Sequence, residues 1–305
     1  MTAPKIVVPD LVRDGTLAVI ASVSGGKDST ALMLALREAD VPFRAVFADT
    51  GWEAAETYAY LDTLREKIGP IAIVRPKRDM VESIRHRANF PARMQRWCTG
   101  ELKLAPLRAH HDALGVELGR ETASAMGVRA DESAARAKMS EWEDDSEWGG
   151  WVWRPLLRWS VADVIGTHHR HGVPLNPLYL AGFSRVGCWP CIFSVKDEIR
   201  MIAAHDPDRI KQIADLEAEA TAERVTRNAE EPGRYAHAQA SYFQTRDRRA
   251  GGAMSIHDVV SWSRTSRGGH QLPLLQPPPQ GGCMKWGVCE PPPRDDGEEE
   301  EPWTR

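Results

Sequence analysis

One stretch, residues 17–32 (LAVIASVSGGKDSTAL), constrains this chain more than any other. A β-type apolar run containing Leu17, Val19, Ile20 and Val23 ends at Ser24-Gly25-Gly26, and beyond Asp28 and Ser29 the apolar residues Ala31, Leu32, Leu34 and Leu36 recur with helical spacing. The stretch therefore reads as strand, tight turn and helix. Glycines at such a turn let the backbone approach a ligand and take conformations that a Cβ forbids. The helix that follows opens with unpaired N–H groups, which favour an anion. It is not a Walker A loop, because that motif needs Ser or Thr after the lysine and Lys27 is followed by Asp28.

Residues 43–47 read as a second strand ending in Ala48-Asp49-Thr50-Gly51. A helix-length connection between the two strands implies a parallel pair, and ligands of parallel α/β sheets collect at the carboxyl ends of the strands. Asp49, Thr50 and Gly51 are thereby expected beside the glycine loop. Glu53 and Glu56 are expected in the first turn of the next helix, where the helix dipole favours acids. A third strand at residues 71–74 runs into the basic cluster Arg75-Pro76-Lys77-Arg78, which faces phosphate or solvent, and a further strand is expected at 124–128. Five tryptophans between 142 and 159 suggest a loop or hairpin, with core packing the main use of its indoles. Helices are expected at 196–205 and 207–228. Beyond them Arg234, Tyr235, Tyr242, Phe243, Arg246, Arg248 and Arg249 mix aromatics with base, either a nucleic-acid surface or a solvated amphipathic face.

With 305 residues, 42% hydrophobic and 27% charged, the chain has enough material for one large or two small globular domains. No apolar run approaches a membrane span, and residues 1–14 lack the pattern of a secretory leader, so a cytoplasmic location is the expectation. The net charge of −4 is concentrated at one end: residues 290–305 hold seven acids and two arginines, a charge of −5, leaving +1 for the rest. This tail, after the stiff Gln276-Pro277-Pro278-Pro279-Gln280, is expected to be disordered. Five cysteines are too few for a disulfide scaffold and point to metal or redox chemistry. Cys188-Trp189-Pro190-Cys191 can chelate a metal, or act as a thioredoxin-type pair ahead of a helix at 193–203. The late position of the pair, after a nucleotide-type sheet, speaks against the second use.

Several segments carry a resemblance to a known family. Ser24-Gly25-Gly26-Lys27-Asp28-Ser29 resembles the signature of the PP-loop ATP pyrophosphatases. The run FADTGWEAAETYAYL, Arg96-Trp97-Cys98-Thr99 with Lys103 and Pro106, Gly127 to Arg136 (G-x-R-x-x-E-S-x-x-R), Asn176-Pro177-Leu178-Tyr179 and Gly187-Cys188-x-x-Cys191 are similar to the PAPS reductase-like branch of that superfamily. The resemblance covers residues 17–193, with Cys283 and Cys289 as an outlying match. It implies a Rossmann-like doubly wound parallel α/β sheet of the adenine nucleotide alpha hydrolase-like type over residues 1–194. A mainly helical region at 195–275 and a proline-rich, cysteine-bearing tail at 276–305 follow. It also implies ATP with Mg2+ as ligand, held by Ser22, Ser24, Gly25, Gly26, Lys27, Asp28 and Ser29 at the phosphates and by Asp49, Thr50 and Gly51 at the adenosine. Lys103, Gly127, Arg129, Glu132 and Arg136 complete the implied contacts; an Arg129–Glu132 pair is the plain structural alternative for that segment. Ser24, Lys27, Asp28, Ser29 and Arg129 would carry the catalysis.

Cys98, Cys188 and Cys191 with Cys289, or Cys283 in its place, would make a four-thiolate site. Spacing does not separate a [4Fe-4S] cluster from zinc, and the resemblance favours the cluster. Two features depart from sulfonucleotide reductases: the loop is intact where theirs is usually degraded, and their carboxyl-terminal E-C-G-x-H is absent. The expectation is an ATP pyrophosphatase that adenylates an acceptor for sulfur transfer to a nucleic acid or nucleotide, served by a sulfur donor protein. In character it is most similar to the sulfur-incorporating ATP pyrophosphatases of DNA phosphorothioation. A PAPS or APS reductase releasing sulfite is the first alternative, and a non-catalytic nucleotide- and metal-binding subunit of a nucleic-acid complex the second.

Overall fold

The structure is a computed structural model that describes residues 4–145, 148–235, 237–243 and 253–265. Six strands form one sheet: β1 (Ala18–Val23), β2 (Phe43–Ala48), β3 (Ile71–Val74), β4 (Thr122–Met126), β5 (Trp142–Asp145) and β6 (Gly150–Trp153), in the spatial order β3-β2-β1-β4-β6-β5. Every neighbouring pair is parallel except the terminal hairpin β5–β6. The connecting helices are α1 (Asp10–Arg13), α2 (Lys27–Glu38), α3 (Ala55–Lys67), α4 (Met80–Arg87), α5 (Trp97–Thr99), α6 (Ala105–Leu118), α7 (Val161–Arg170) and α8 (Pro177–Leu180). Three more, α9 (Lys196–His205), α10 (Pro207–Glu230) and α11 (Ile256–Ser263), follow among the described residues. This is the doubly wound α/β arrangement, with its order reversing between β1 and β4.

The sequence dictates these elements by ordinary means. The β1 strand is central and buried on both faces, which is why it reads as a continuous apolar run instead of an alternation. Reciprocal caps start α4 (Asp79 with Glu82), α7 (Ser160 with Asp163) and α11 (Ser255 with Asp258), and Asp206 followed by Pro207 starts α10. By contrast α2 has Gly26 at its N-cap and no capping side chain. The strand expected at 124–128 lies two residues earlier, because Gly127 is pressed against the start of α2 and Val128 turns back to bond the Met126 carbonyl. The helix after the cysteine pair begins at Lys196, not at residue 193. The tryptophan-rich stretch is the edge hairpin: Trp148, Trp153 and Trp159 are buried, and Trp142 stacks on Trp151 with ring centroids 5.0 Å apart.

One core packs β1, β2 and β4 against α2 and α3. A second gathers Trp52, Met80, Phe90, Leu178 and Trp189 with Ile213, Tyr242 and Val259, so the cysteine segment shares its packing with α10 and α11. The Tyr242 hydroxyl donates to the Pro190 carbonyl at 2.6 Å and accepts from Trp52 Nε1 at 3.1 Å. Arg234 and Tyr235 form the turn after α10, where Arg234 pairs with Glu231. Arg246, Arg248, Arg249, the proline-rich stretch, Cys283, Cys289 and the acidic tail lie outside the described residues.

Candidate functional site

The glycine loop joins β1 to α2. Gly25 sits at φ +73°, and a Cβ there would lie 2.7 Å from Thr57 Cγ2, so both conformation and space call for glycine. The loop is tied to itself by the Ser24 N–H donating to Ser29 Oγ (3.1 Å) and Ser29 Oγ donating to the Gly26 carbonyl (3.0 Å). Distant elements brace it. Asn176 Nδ2 donates to the Gly25 carbonyl at 3.1 Å, the Lys27 N–H donates to the Tyr179 hydroxyl at 3.2 Å, and His168 Nε2 lies 2.9 Å from the Lys27 carbonyl. Ser22 lies just before the loop in β1, its hydroxyl buried and without a partner among the described residues.

Two cations converge on one carboxylate here. Lys27 Nζ bonds Asp28 Oδ2 at 2.8 Å, 5.5 Å from the centroid of the Tyr179 ring, and Arg129 Nε bonds Asp28 Oδ1 at 2.6 Å. Arg129 is only 1% exposed and its Nη1 is bidentate to Asp131, at 2.6 and 2.7 Å. Burial opposes its charge, but Asp28 and Asp131 more than offset that and raise its pKa further. The side chains of Arg129 and Glu132 do not pair. Glu132 accepts from the Arg129 backbone N–H at 3.0 Å and forms its ion pair with Arg136. Gly127 brings this segment to the loop: a Cβ there would lie 2.7 Å from the Asp28 carbonyl oxygen.

At the end of β2, Asp49 accepts from the Gly51 N–H (3.0 Å), the Tyr58 hydroxyl (2.8 Å) and Arg75 Nε (3.0 Å). Thr50 Oγ1 bonds Glu53, which also accepts from the Trp52 N–H. Glu53 thus corrects the expectation from sequence: α3 starts only at Ala55, and Glu53 is buried before it, its carboxylate turned inward to these donors. Glu56 is in the first turn as expected and contacts His205. Burial, followed by the nearby Asp49 and Glu53 carboxylates, pushes the Tyr58 phenol pKa well up.

Backbone bonds join this turn to the cysteine segment, through a bridge between Glu53 and Cys188 and a 2.8 Å bond from the Trp189 N–H to the Trp52 carbonyl. Cys98, Cys188 and Cys191 are free thiols. Burial raises the pKa of Cys98, with the Cys188 and Cys191 charges adding to it; burial also raises Cys188, where Lys103 pulls the other way. Lys103 lies close enough to Cys188 that a Cys188 thiolate is the chief cause of its raised pKa. It therefore stands at the thiols. The three thiols share a neighbourhood without closing on a point: among the described residues no three His, Cys, Asp or Glu side chains are near enough to hold a metal ion. As a donor set they supply three soft ligands, and both candidates for the fourth lie outside the described residues.

Sequence reasoning singled out the loop, Asp49 and Arg129. It did not anticipate Tyr58 and Arg75 on Asp49, or the bracing by His168, Asn176 and Tyr179. The Asn-Pro pair at 176–177 signals a helix start, which it is, but nothing local says that the amide reaches Gly25.

Fold and loop together define a doubly wound α/β protein with a glycine-rich loop and paired cations at the carboxyl ends of its central strands. The chain belongs to the phosphoadenosine phosphosulfate reductase domain family, whose model matches residues 18–193. It is 33% identical over 311 aligned residues to the uncharacterised 37.8 kDa protein of the gpa 5′ region of Escherichia phage 186, covering 84% of this chain and 91% of that one. It is 30% identical over 162 residues to the adenosine 5′-phosphosulfate reductase of Burkholderia cepacia, covering 51% of this chain and 62%, less than two thirds, of that protein. Among solved structures, the phosphoadenylyl-sulfate reductase of Candida auris, in its phosphate complex, superposes with a TM-score of 0.45 at 20% identity, over 56% of this chain and 81% of that one. No described helix is long and apolar enough to cross a membrane.

Proposed function

We propose that this chain is an ATP pyrophosphatase that adenylates an acceptor for sulfur transfer to a nucleic acid or nucleotide, as in the phosphorothioation-type enzymes it resembles. The observation that carries the reading is the intact loop, with two buried cations, Lys27 and Arg129, gripping Asp28 at the start of α2, whose N-cap Gly26 has no side chain to cap it. An acceptor oxygen attacks the α-phosphorus of ATP, the bond to the bridging oxygen breaks, and pyrophosphate leaves. A sulfur nucleophile then displaces AMP from the acceptor. Loop amides, Lys27 and Arg129 oppose the charge that develops on the phosphates. Ser24 and Ser29 line the loop, Asp49 and Thr50 position the adenosine, and Gly127 keeps Arg129 against the loop.

Magnesium, bound with the nucleotide near Asp28, would supply further charge neutralisation. A [4Fe-4S] cluster on Cys98, Cys188, Cys191 and Cys289, or Cys283, would supply a place to bind or relay sulfur; zinc on the same thiolates would be structural. The family name and the Burkholderia relative support a second reading, a sulfonucleotide reductase releasing sulfite.

Anaerobically purified protein, given ATP with magnesium or PAPS, with every nucleotide product identified by mass spectrometry, separates the two. AMP and pyrophosphate from ATP, lost in Asp28→Ala, are the expected result. Loss of sulfur from PAPS without any use of ATP would replace this reading by the reductase, and ATP bound and released unchanged would leave only a binding subunit.

A further inference from the structure

We propose that the basic groove beside Asp49 holds the phosphate backbone of a single-stranded nucleic acid, the acceptor of the reaction above, on which reading this inference rests. Residues 75–108 hold nine lysines and arginines against three acids, a net charge of +6 in a chain of net charge −4. No acid lies between Glu82 and Glu101. The fold closes this segment on itself, so that the end of β3, the last turns of α4 and the start of α6 surround a surface cavity of about 340 Å3.

Five of its lining residues are Arg75, Lys77, Arg78, His86 and Arg87. Arg75 is bonded to Asp49 and Arg87 is paired with Glu101. Among the described residues, the side chains of Lys77, Arg78 and His86 have no hydrogen bond or ion pair, and all three are exposed. Lys77 and Arg78, collected here without counterions, repel one another and gain only when an anion joins them.

The positive surface continues past the groove. The Arg87 guanidinium lies 5.1 Å from the centroid of the Trp97 ring, and those of Arg96 and Arg93 lie 5.2 and 5.6 Å from that of Phe193. This track begins beside Asp49 of the nucleotide site and ends two residues past Cys191, linking the end where an acceptor would be adenylated to the end that carries the thiols. One phosphate is satisfied by two or three donors. A longer series of cations interleaved with aromatic faces suits a strand whose phosphates pair and whose bases stack.

The test is fluorescence anisotropy of fluorescein-labelled single-stranded DNA and RNA of mixed sequence, titrated with the full chain over a range of salt. Replacing Lys77→Gln and Arg78→Gln together is expected to lower the slope of log affinity against log salt by about 1.4, two contacts at about 0.7 each. The charge-matched pair Arg44→Gln and Lys67→Gln, exposed on β2 and α3, is expected to leave it unchanged. Equal losses in both pairs would reduce the effect to net charge and overturn the proposal. So would a wild type that binds neither strand, or a dinucleotide that binds as tightly as the long strand, which would make the groove a small-phosphate site. ATP turnover measured on the same preparations keeps the two readings apart. Turnover with no groove effect sinks the groove alone; a groove effect with no ATP cleavage leaves the groove as a nucleic-acid surface and removes the adenylation.

Discussion

Gly127→Ala tests whether the contact between the end of β4 and the start of α2 is what sets the loop. The added Cβ would lie 2.7 Å from the Asp28 carbonyl oxygen, 2.8 Å from its carbon and 2.9 Å from the Ser29 nitrogen. All three are backbone atoms, so no flexible side chain can yield. The first turn of α2 is in turn fixed by Asp28 between Lys27 and Arg129 and by the buried Ala31 and Leu32. Overpacking a rigid site costs about 1–3 kcal/mol, and with backbone on both sides we expect about 3. For a chain of this size that lowers the melting temperature by roughly 6–12 °C. Calorimetry reads the stability and titration with ATP the affinity, which should weaken at least about tenfold if the loop moves by the few tenths of an ångström needed. Gly166→Ala within α7 is the control, since its nearest heavy atom is Arg170 Nη1 at 3.8 Å and alanine is the better helix former. If Gly127→Ala melts with the wild type and binds ATP equally well, the contact does not set the loop.

Two further perturbations follow from buried groups. Burial, with a smaller contribution from His110, pushes the pKa of His111 down from 6.5 to about 4. Because the folded value lies below the unfolded one, the unfolded chain takes up the proton first; stability held above pH 6.5 falls as the pH drops towards 4, by about 3 kcal/mol. His111→Phe should flatten that part of a urea-midpoint profile, and an unchanged profile would show that His111 is not its source. Asn176→Leu removes the donor to the Gly25 carbonyl and the cap on the Leu178 N–H in a fully buried site. It should cost about 2 kcal/mol and weaken ATP binding, whereas an effect on stability without one on binding would separate the brace from the loop's function.

How much of this was legible in the sequence depended on how local each feature is. The strand, glycine turn and helix at 17–32 are specified by neighbours in the chain, and so are the caps of α4, α7 and α11. Asp49 was legible because a residue following a parallel strand must emerge at the carboxyl edge. The partners of these residues were not: Arg75 is 26 residues from Asp49, and Asn176 is 151 from Gly25. Contacts at that range leave no periodicity behind. Glu53 was misplaced for a subtler reason, since an acid two residues before a helix and one in its first turn look alike until the Thr50 hydroxyl and Trp52 N–H are seen to draw it inward. The tryptophans were legible in kind, since core packing was the main use expected of them and Trp148, Trp153 and Trp159 are buried.

The charges at the loop also fix an order of events. Lys27, Arg129, Asp28 and Asp131 sum to zero, and both oxygens of Asp28 are occupied by the two cations that a polyphosphate would need. On the proposed reading, an incoming nucleotide competes with this carboxylate. A unit charge about 4 Å away at a partly buried site is worth about 4 kcal/mol, so even partial relief is measurable. Asp28→Asn keeps the shape and an acceptor for Arg129 while removing the negative charge. In the presence of a chelator it should bind ATP about tenfold more tightly than the wild type, and with magnesium it should fail to release pyrophosphate. Binding and turnover then move in opposite directions, which a misfolded loop cannot produce, because that would weaken both. Titration calorimetry in chelator and in magnesium, beside pyrophosphate release, gives the comparison. Weaker binding by Asp28→Asn in chelator would mean that the carboxylate holds Lys27 and Arg129 in place for the phosphates and does not hold them back.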